Sequence, residues 1–254
     1  MNKIFNVAEE IIEEASKYLL KSLHRKKISY KSGHFNLVTN IDKEVENLIV
    51  GKIKKSFPTH TIVAEESGIH KKESHHEWFI DPIDGTTNFA HNYPSFCISI
   101  AYVKNSELQI GLVKNPSSGE LFSAIKGKGA RLNGKKISVS SIKKLSESLL
   151  VTGFPQETKK SKLSNFERFK NLTLNTHGVR RAGSAALDLC NVAAGRLEGY
   201  WEEKLSPWDV AAGVLILKEA GGKITNYKNG KYDIYSKEIL ATNGLVHKEL
   251  MSYL

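Results

Sequence analysis

Residues 78–91 read WFIDPIDGTTNFAH. The apolar run at 78–80 suits a buried strand, which we expect to end at the following Asp-Pro, because proline lacks a backbone donor. Asp81 and Asp84 then lie three residues apart on a turn closed by Gly85. Two carboxylates so close repel each other, and a divalent cation such as Mg²⁺ relieves that repulsion while keeping coordination places for water and phosphate.

The residues after this turn, Gly-Thr-Thr-Asn at 85–88, predict the start of a helix. Its free N–H groups and positive dipole end would attract an anion to the same place. A cation site beside an anion site indicates phosphate chemistry. A structural interpretation stays open for the motif alone, because Asp-Pro-x-Asp-Gly is also a good turn sequence in which aspartates bond to their own backbone.

Length and composition describe an ordinary globular protein. The chain has 254 residues, 40% of them hydrophobic, which fits one large domain or two closely packed halves. Cys97 and Cys190 lie in apolar surroundings without a C-x-x-C spacing, which favours buried, reduced thiols. No apolar run is long enough for a membrane span, and four glutamates in the first twenty residues exclude a signal peptide. We therefore expect a cytoplasmic protein that does not bind membranes.

The formal net charge of +10 raises the question of a nucleic-acid partner. The basic residues are scattered in pairs, and no RNA- or DNA-binding motif accompanies them. A solvated basic surface that also attracts anionic substrates is the favoured interpretation, and nucleic acid stays a less favoured one.

Periodicity divides the chain into helices and strands. Helical spacing predicts amphipathic helices over 3–27 and 39–56, separated by an exposed loop at 29–37. A strand at 60–64 precedes the central stretch, and a meander of three strands follows within 96–124. The basic segment 135–147 is the candidate boundary between halves. Beyond it we predict strands at 148–153, 177–181, 197–202 and 223–226, helices at 160–172, 183–195 and 207–220, and a final strand and short helix within 239–254.

Several acids follow strands or begin helices. Glu65 and Asp81 follow neighbouring strands, and strands that end at the same level bring such carboxylates together. Asp42 has capping-box spacing from Thr39, which explains it structurally. Asp209 lies near the start of a helix, where the dipole favours an acid.

The order Glu-Glu at 65–66, DPIDGTTNF at 81–89 and WDVAAG at 208–213 resembles the inositol monophosphatase family of Mg²⁺-dependent, Li⁺-sensitive phosphatases. The resemblance covers nearly the whole chain. It implies a layered αβαβα sandwich, with an α+β half at 1–140 that carries most metal ligands, an α/β half at 141–254, and the site between them. Family members are usually homodimers, so the resemblance also implies a homodimer.

The resemblance also implies site residues. Two or three Mg²⁺ ions would be held by Glu65, Asp81, Asp84, Asp209 and the carbonyl of Ile83. The catalytic residues would be Glu65 and Thr86, which activate the attacking water, and Asp42, which supports Thr86 or the outer metal shell. The substrate contacts would be Asp84, Gly85, Thr86, Gly183, Ser184, Ala185 and Glu202.

The activity that follows is hydrolysis of small polyol or sugar phosphates, with inositol 1-phosphate preferred. NADP 2′-phosphatase or fructose-1,6-bisphosphatase activity is the alternative, alone or alongside the first. Segment 203–207 departs from the animal enzymes and looks bacterial or archaeal. Some bacterial relatives associate with transcription or ribosomal-RNA machinery, so a binding role is an alternative of another class. The loop at 29–37 corresponds to a mobile segment over the site, with metal-dependent ordering as a hypothesis.

Overall fold

The first outer layer consists of two helices, α1 (Asn2–Ser22) and α2 (Asn40–Ser56). A computed structural model describes residues 1–32, 36–154 and 165–254. The apolar stripe predicted for α1 is buried, and α2 begins at the expected cap, where the Thr39 hydroxyl accepts from the N–H of Ile41 at 3.2 Å. Both helix predictions are confirmed.

An antiparallel hairpin, β1 (Ile28–Ser32) and β2 (Asn36–Thr39), joins the two helices. The prediction of a loop over 29–37 is therefore wrong for the described residues, which all lie in the two strands, because backbone pairing satisfies donors and acceptors that a loop would leave to water. The predicted exposure holds for Tyr30, whose side chain is largely accessible. Residues 33–35 lie outside the described part of the chain, and metal-dependent ordering there stays a prediction.

The second layer is an eight-stranded sheet. Its strands are β3 (Thr61–Ala64), β4 (Gly68–His70), β5 (His76–Asp84), β6 (Cys97–Lys104), β7 (Glu107–Lys114), β8 (Leu121–Ile125), β9 (Ala130–Leu132) and β10 (Lys135–Lys136). The strand order is β10-β9-β8-β7-β6-β5-β3-β4. Among the described strands of this sheet, β3 and β5 pair in parallel and all other neighbours are antiparallel. The predicted meander forms β6 to β8.

Strand β5 continues past the proline at which it was expected to end. Asp81 pairs with Ser99 and Asp84 pairs with Cys97, so two residues of β5 lie opposite one residue of β6. Pro82 falls within this bulge, where the ladder needs no donor from it. The bulge places both aspartates at the end of a buried strand.

The second half alternates helices with a five-stranded sheet. Its elements are β11 (Leu149–Thr152), α4 (Asn165–Asn175), β12 (Gly178–Arg180), α5 (Ala185–Ala193), β13 (Gly199–Glu203), α6 (Pro207–Glu219), β14 (Lys223–Thr225), β15 (Glu238–Thr242) and α7 (His247–Met251). The strand order of the sheet is β12-β11-β13-β15-β14. A helix was predicted over 160–172, and α4 continues three residues beyond that range, whereas residues 155–164 lie outside the described ranges. The other predicted elements are confirmed within a few residues.

Three hydrophobic cores separate the layers. Trp78 faces a core shared with α1 and α2, whereas its neighbour Phe79 faces a central core shared with α5 and α6. In the second sheet Tyr200 faces the central core and Trp201 faces a third core with α4 and α7. Successive side chains of a strand point to opposite faces, so each sheet has a hydrophobic core on both of its faces. The predicted αβαβα sandwich is confirmed.

The first sheet ends at Lys136 and the second begins at Leu149, and the division into halves at residue 140 stays a prediction. Both cysteines are buried free thiols, as expected. Among the described residues, no helix has the length and apolar character needed to cross a membrane.

Candidate active site

The turn after β5 leads directly into a short helix, α3 (Thr86–Ala90). Gly85 begins it with φ of 91°, a conformation that favours glycine. A Cβ on Gly85 would lie 2.9 Å from the carbonyl oxygen of Ser95 and 3.1 Å from that of Gly183. The turn therefore packs backbone against backbone with the loop that precedes α5.

Asn88, which sequence reasoning missed, ties these loops together. Its Nδ2 donates to the carbonyl of Ser95 at 2.6 Å and to the carbonyl of Ala182 at 2.7 Å. One amide thus connects α3 to a loop of the second half. Asparagine in the first turn of a short helix has no distinctive spacing, so the sequence contains no signal for this role.

Asp42 both caps a helix and supports Thr86. Its Oδ2 accepts from the N–H of Thr39 at 2.8 Å and from the Thr39 hydroxyl at 2.5 Å. Its Oδ1 accepts from the Thr86 hydroxyl at 3.1 Å, and the Ile83 carbonyl lies 3.0 Å from the same hydroxyl. The capping prediction is confirmed, and the contact expected with Thr86 is also present, because a carboxylate has two oxygens.

Asp84 is anchored by the N-terminus of α5. Its Oδ2 accepts from the Ser184 hydroxyl at 2.6 Å and from the N–H of Ala186 at 2.7 Å. The start of α5 thus holds a carboxylate, and the substrate contacts expected for Gly183, Ser184 and Ala185 stay predictions. One oxygen of Asp84 is occupied in this way, and the other takes none of these bonds.

Asp81 and Asp209 follow the same pattern. Asp81 Oδ1 accepts from the N–H of Ile83 at 2.9 Å, the aspartate turn that the structural interpretation predicts. Asp209 Oδ2 accepts from the N–H of Ser206 at 2.7 Å at the start of α6. Each acid therefore uses one oxygen for a backbone bond, and the side chain of Asp81 also shares a hydrogen bond with Glu65.

Glu65 follows β3 immediately beside β5, and its N–H donates to the carbonyl of Ile80 at 3.2 Å. The next two residues are held by Glu46, a buried acid of α2. Glu46 accepts from the N–H of Glu66 and from the N–H of Ser67, each at 2.7 Å. Sequence reasoning missed Glu46. The available signal was an acid four residues after Asp42, on the buried face of the same helix.

Burial disfavours the ionised form of the acids in this site. Burial raises the pKa of Asp84 to about 6, and the charge of Glu65 adds to this, although bonds from Ser184 and α5 oppose it. Burial, followed by the charges of neighbouring carboxylates, raises the pKa values of Asp81 and Asp209 well above their ordinary range. Burial also raises the pKa of Asp42.

A divalent cation fits this set of residues. Among the described residues, no ion pair includes Asp81, Asp84 or Asp209, although the first two are buried. Carboxylate and carbonyl oxygens are the ligands that Mg²⁺ prefers. In the described ranges no three such side chains already converge on one point. The argument for a cation therefore rests on the missing ion-pair partners and on the type of oxygen donors present.

Two further acids lie beyond the start of α5. Glu202 on β13 accepts from the Tyr200 hydroxyl at 2.7 Å, and burial raises its pKa to about 7. Asp188 is 1% exposed, and its Oδ1 has no hydrogen-bond partner in the part of the chain that the structure describes. Burial, then the charges of Glu202 and Asp84, raises its pKa well above the ordinary range. Sequence reasoning missed Asp188, whose signal was an acid inside an apolar helix.

Comparisons with known proteins agree with this geometry. The model of the Inositol monophosphatase family matches residues 1–254. An inositol-1-monophosphatase of Synechocystis sp. is 48% identical over 216 residues, covering 85% of this chain and 75% of the relative. A Nus factor SuhB of Pasteurella multocida is 39% identical over 256 residues, covering 99% and 96%.

Among solved structures, an inositol monophosphatase from Anabaena (Nostoc) sp. superposes with a TM-score of 0.90 at 43% identity, covering 99% of this chain and 95% of that one. The αβαβα sandwich and the order of the acids in the chain agree with these similarities, which extend over the whole length of the chain. The chain belongs to the inositol monophosphatase family.

Proposed function

We propose that this protein is a Mg²⁺-dependent phosphomonoesterase whose preferred substrate is inositol 1-phosphate. Membership of the family implies phosphatase activity, whereas the substrate and the metal are our proposals. The observation that carries them is the group formed by Asp81, Asp84 and Asp209, which have no ion-pair partner among the described residues and are each anchored by a backbone N–H. A phosphate ester resists attack until its charge is neutralised, and bound Mg²⁺ supplies that neutralisation.

The proposed metal ligands are Glu65, Asp81, Asp84, Asp209 and the carbonyl of Ile83, holding two or three Mg²⁺ ions. When bound, Mg²⁺ supplies charge neutralisation and a more acidic water. The anchored oxygens orient each side chain, so the remaining oxygens need little further ordering. Glu46 contributes by holding the loop that carries Glu65.

Thr86 is proposed to orient the attacking water together with Glu65. A hydroxyl has one proton, and Asp42 and the Ile83 carbonyl lie at almost equal distances from it. If the Ile83 carbonyl oxygen binds a metal ion, it would no longer accept from Thr86, and the hydroxyl would donate its proton to Asp42. The Thr86 oxygen would then accept a hydrogen bond from water, while the N–H groups of Gly85 and Thr86 receive the phosphate.

Asp188 in α5 and Glu202 in β13 favour an uncharged polyol over a second phosphate. A bisphosphate or NADP would bring another anionic group towards Glu202 and Asp188. Arg181, whose charge lowers the pKa of Glu202, is a cation among the described residues of this region that could receive such a group. Fructose-1,6-bisphosphatase or NADP 2′-phosphatase activity therefore stays the alternative, alone or alongside the first.

The test is release of inorganic phosphate, with and without Mg²⁺, from inositol 1-phosphate, fructose 1,6-bisphosphate and NADP. We expect Mg²⁺-dependent release with inositol 1-phosphate preferred. A preference for either alternative ester would overturn the substrate, and comparable rates would indicate a broad phosphatase. Failure to cleave any of the three would overturn the proposed activity.

A second candidate is a role as a Nus factor. Several relatives at 37–40% identity carry the name Nus factor SuhB, and the net charge of +10 would suit a nucleic-acid partner. Salt-sensitive RNA binding by an Asp84→Asn variant, which should lack turnover, would support it. Absence of binding at low salt would remove RNA as the partner. Homodimer formation, Li⁺ sensitivity and a cytoplasmic location are further proposals that rest on the family resemblance.

A further inference from the structure

The carboxylate of Glu202 packs against Gly153, a residue that has no side chain. A Cβ built on Gly153 would lie 2.1 Å from Cδ and from both carboxylate oxygens of Glu202, a separation that real Cβ atoms do not show. The φ of Gly153 is outside the left-handed region, so backbone conformation does not require glycine there. The requirement comes from the carboxylate that occupies the space.

The backbone at Gly153 cannot easily move away. Its carbonyl accepts from Asn165 Nδ2 at 2.8 Å, and the buried Asn165 also accepts from Trp201 Nε1 at 2.6 Å. The Thr152 hydroxyl donates to the carbonyl of Trp201 at 2.6 Å. Gly153 is thus tied to β13, the strand that carries Glu202, so an added methyl group would displace the carboxylate rather than the backbone.

We propose that Gly153 is a specificity-determining residue for the polyol part of the substrate. Because Gly153 has no side chain, the Glu202 carboxylate has room to lie against its backbone. The Tyr200 hydroxyl donates to Glu202 Oε2 at 2.7 Å and holds the carboxylate there. Glu202 would therefore receive substrate hydroxyls in one orientation. The inference rests on the proposed function, and in particular on Glu202 as the contact to those hydroxyls.

The test compares Gly153→Ala with the wild type on two esters, inositol 1-phosphate and p-nitrophenyl phosphate, which has no polyol hydroxyls. We expect kcat/KM for inositol 1-phosphate to fall about tenfold, mainly through KM, as for loss of one hydrogen bond to a charged group. The rate with p-nitrophenyl phosphate and the Mg²⁺ dependence should stay unchanged. Equal losses on both esters, or no loss on either, would overturn the inference.

Gly51→Ala is the matched control, because a Cβ on Gly51 meets nothing within 4 Å. It should leave both esters unaffected. Shortening the acid should make room for the methyl group, so Glu202→Asp should restore part of the inositol 1-phosphate activity in the Gly153→Ala background. Absence of any restoration would contradict the proposed contact.

Thermal unfolding tests the contact without relying on activity. Gly153→Ala should lower the Tm of the wild type but not that of a Glu202→Ala variant, because the three atoms nearest to the added methyl group all belong to the Glu202 carboxylate. An equal loss in both backgrounds would show that Gly153 matters for other reasons. A wild-type enzyme that cleaves neither ester would overturn the proposed function itself, whereas an active enzyme with an unaltered preference would overturn only this inference.

Discussion

Replacement of Asp84 by asparagine should stabilise the metal-free protein while it abolishes turnover. In the folded, metal-free chain the pKa of this carboxyl is about 6, against an ordinary value of 3.8. The folded state therefore binds the proton more tightly than the unfolded state. The resulting stability is fully present below pH 3.8 and is lost as the pH rises through 6.

The magnitude follows from the two values. A difference of about 2 pKa units corresponds to about 3 kcal/mol of unfolding free energy above pH 7. Asparagine does not ionise, and its amide oxygen can accept from Ser184 and Ala186 as Asp84 Oδ2 does. Asp84→Asn should therefore be up to about 3 kcal/mol more stable than the wild type in EDTA at pH 8. For a chain of this size the Tm should rise by about 6–12 °C.

Scanning calorimetry in EDTA at pH 8 and pH 4 measures this effect, and the difference should shrink towards zero at pH 4. Mg²⁺ should raise the Tm of the wild type at pH 8 more than that of the variant, because one ligand is lost. Phosphate release should disappear. A variant less stable than the wild type at pH 8 in EDTA would refute the electrostatic reasoning, and undiminished activity would refute Asp84 as a metal ligand.

Three other predictions concern separate parts of the molecule. Glu46→Gln should lower the unfolding free energy by about 1–3 kcal/mol, because an amide cannot accept both backbone bonds, and should reduce kcat; urea unfolding with normal stability would contradict this. Glu202→Ala should alter relative kcat/KM among esters far more than the Mg²⁺ requirement, and an equal loss on every ester would contradict a substrate-contact role. Burial, then the charge of His76, lowers the pKa of His60, whose Nδ1 accepts from Trp78 Nε1 at 3.0 Å. Its contribution to stability should be present above its ordinary pKa of 6.5 and lost as the pH falls below that value, so His60→Gln should reduce the fall in urea midpoint between pH 7 and pH 5.

Local sequence patterns predicted most of the helices and strands. They failed where the structure of a segment depends on the strand with which it pairs. The periodicity of α1 and the alternation in β6 to β8 are properties of short segments, so they are visible in the sequence. The β1–β2 hairpin was missed because its polar segment contains no clear alternation, and backbone pairing supplies its order. Strand β5 was expected to end early because proline weakens a ladder, yet the bulge opposite Ile98 accommodates Pro82.

For each acid of the site, the sequence allowed both a structural interpretation and a functional one. Asp42 makes both contacts, the one with Thr39 at the helix cap and the one with Thr86. The structural contact, a turn or a cap, depends on near neighbours, and spacing indicates it. The second contact of Asp42, with Thr86, joins α2 to α3, and spacing alone could not establish it. Only the family resemblance indicated that pairing beforehand.

The sequence by itself determined most of the element types, the order of the acids and the family, because periodicity, turn residues and motif spacing are local. The tertiary structure alone decided that Ser184 holds Asp84, that Glu46 holds the loop after Glu65, and that Glu202 lies on Gly153. The physical reason is that these contacts join segments 20 to 100 residues apart, or neighbouring strands, which only packing brings together.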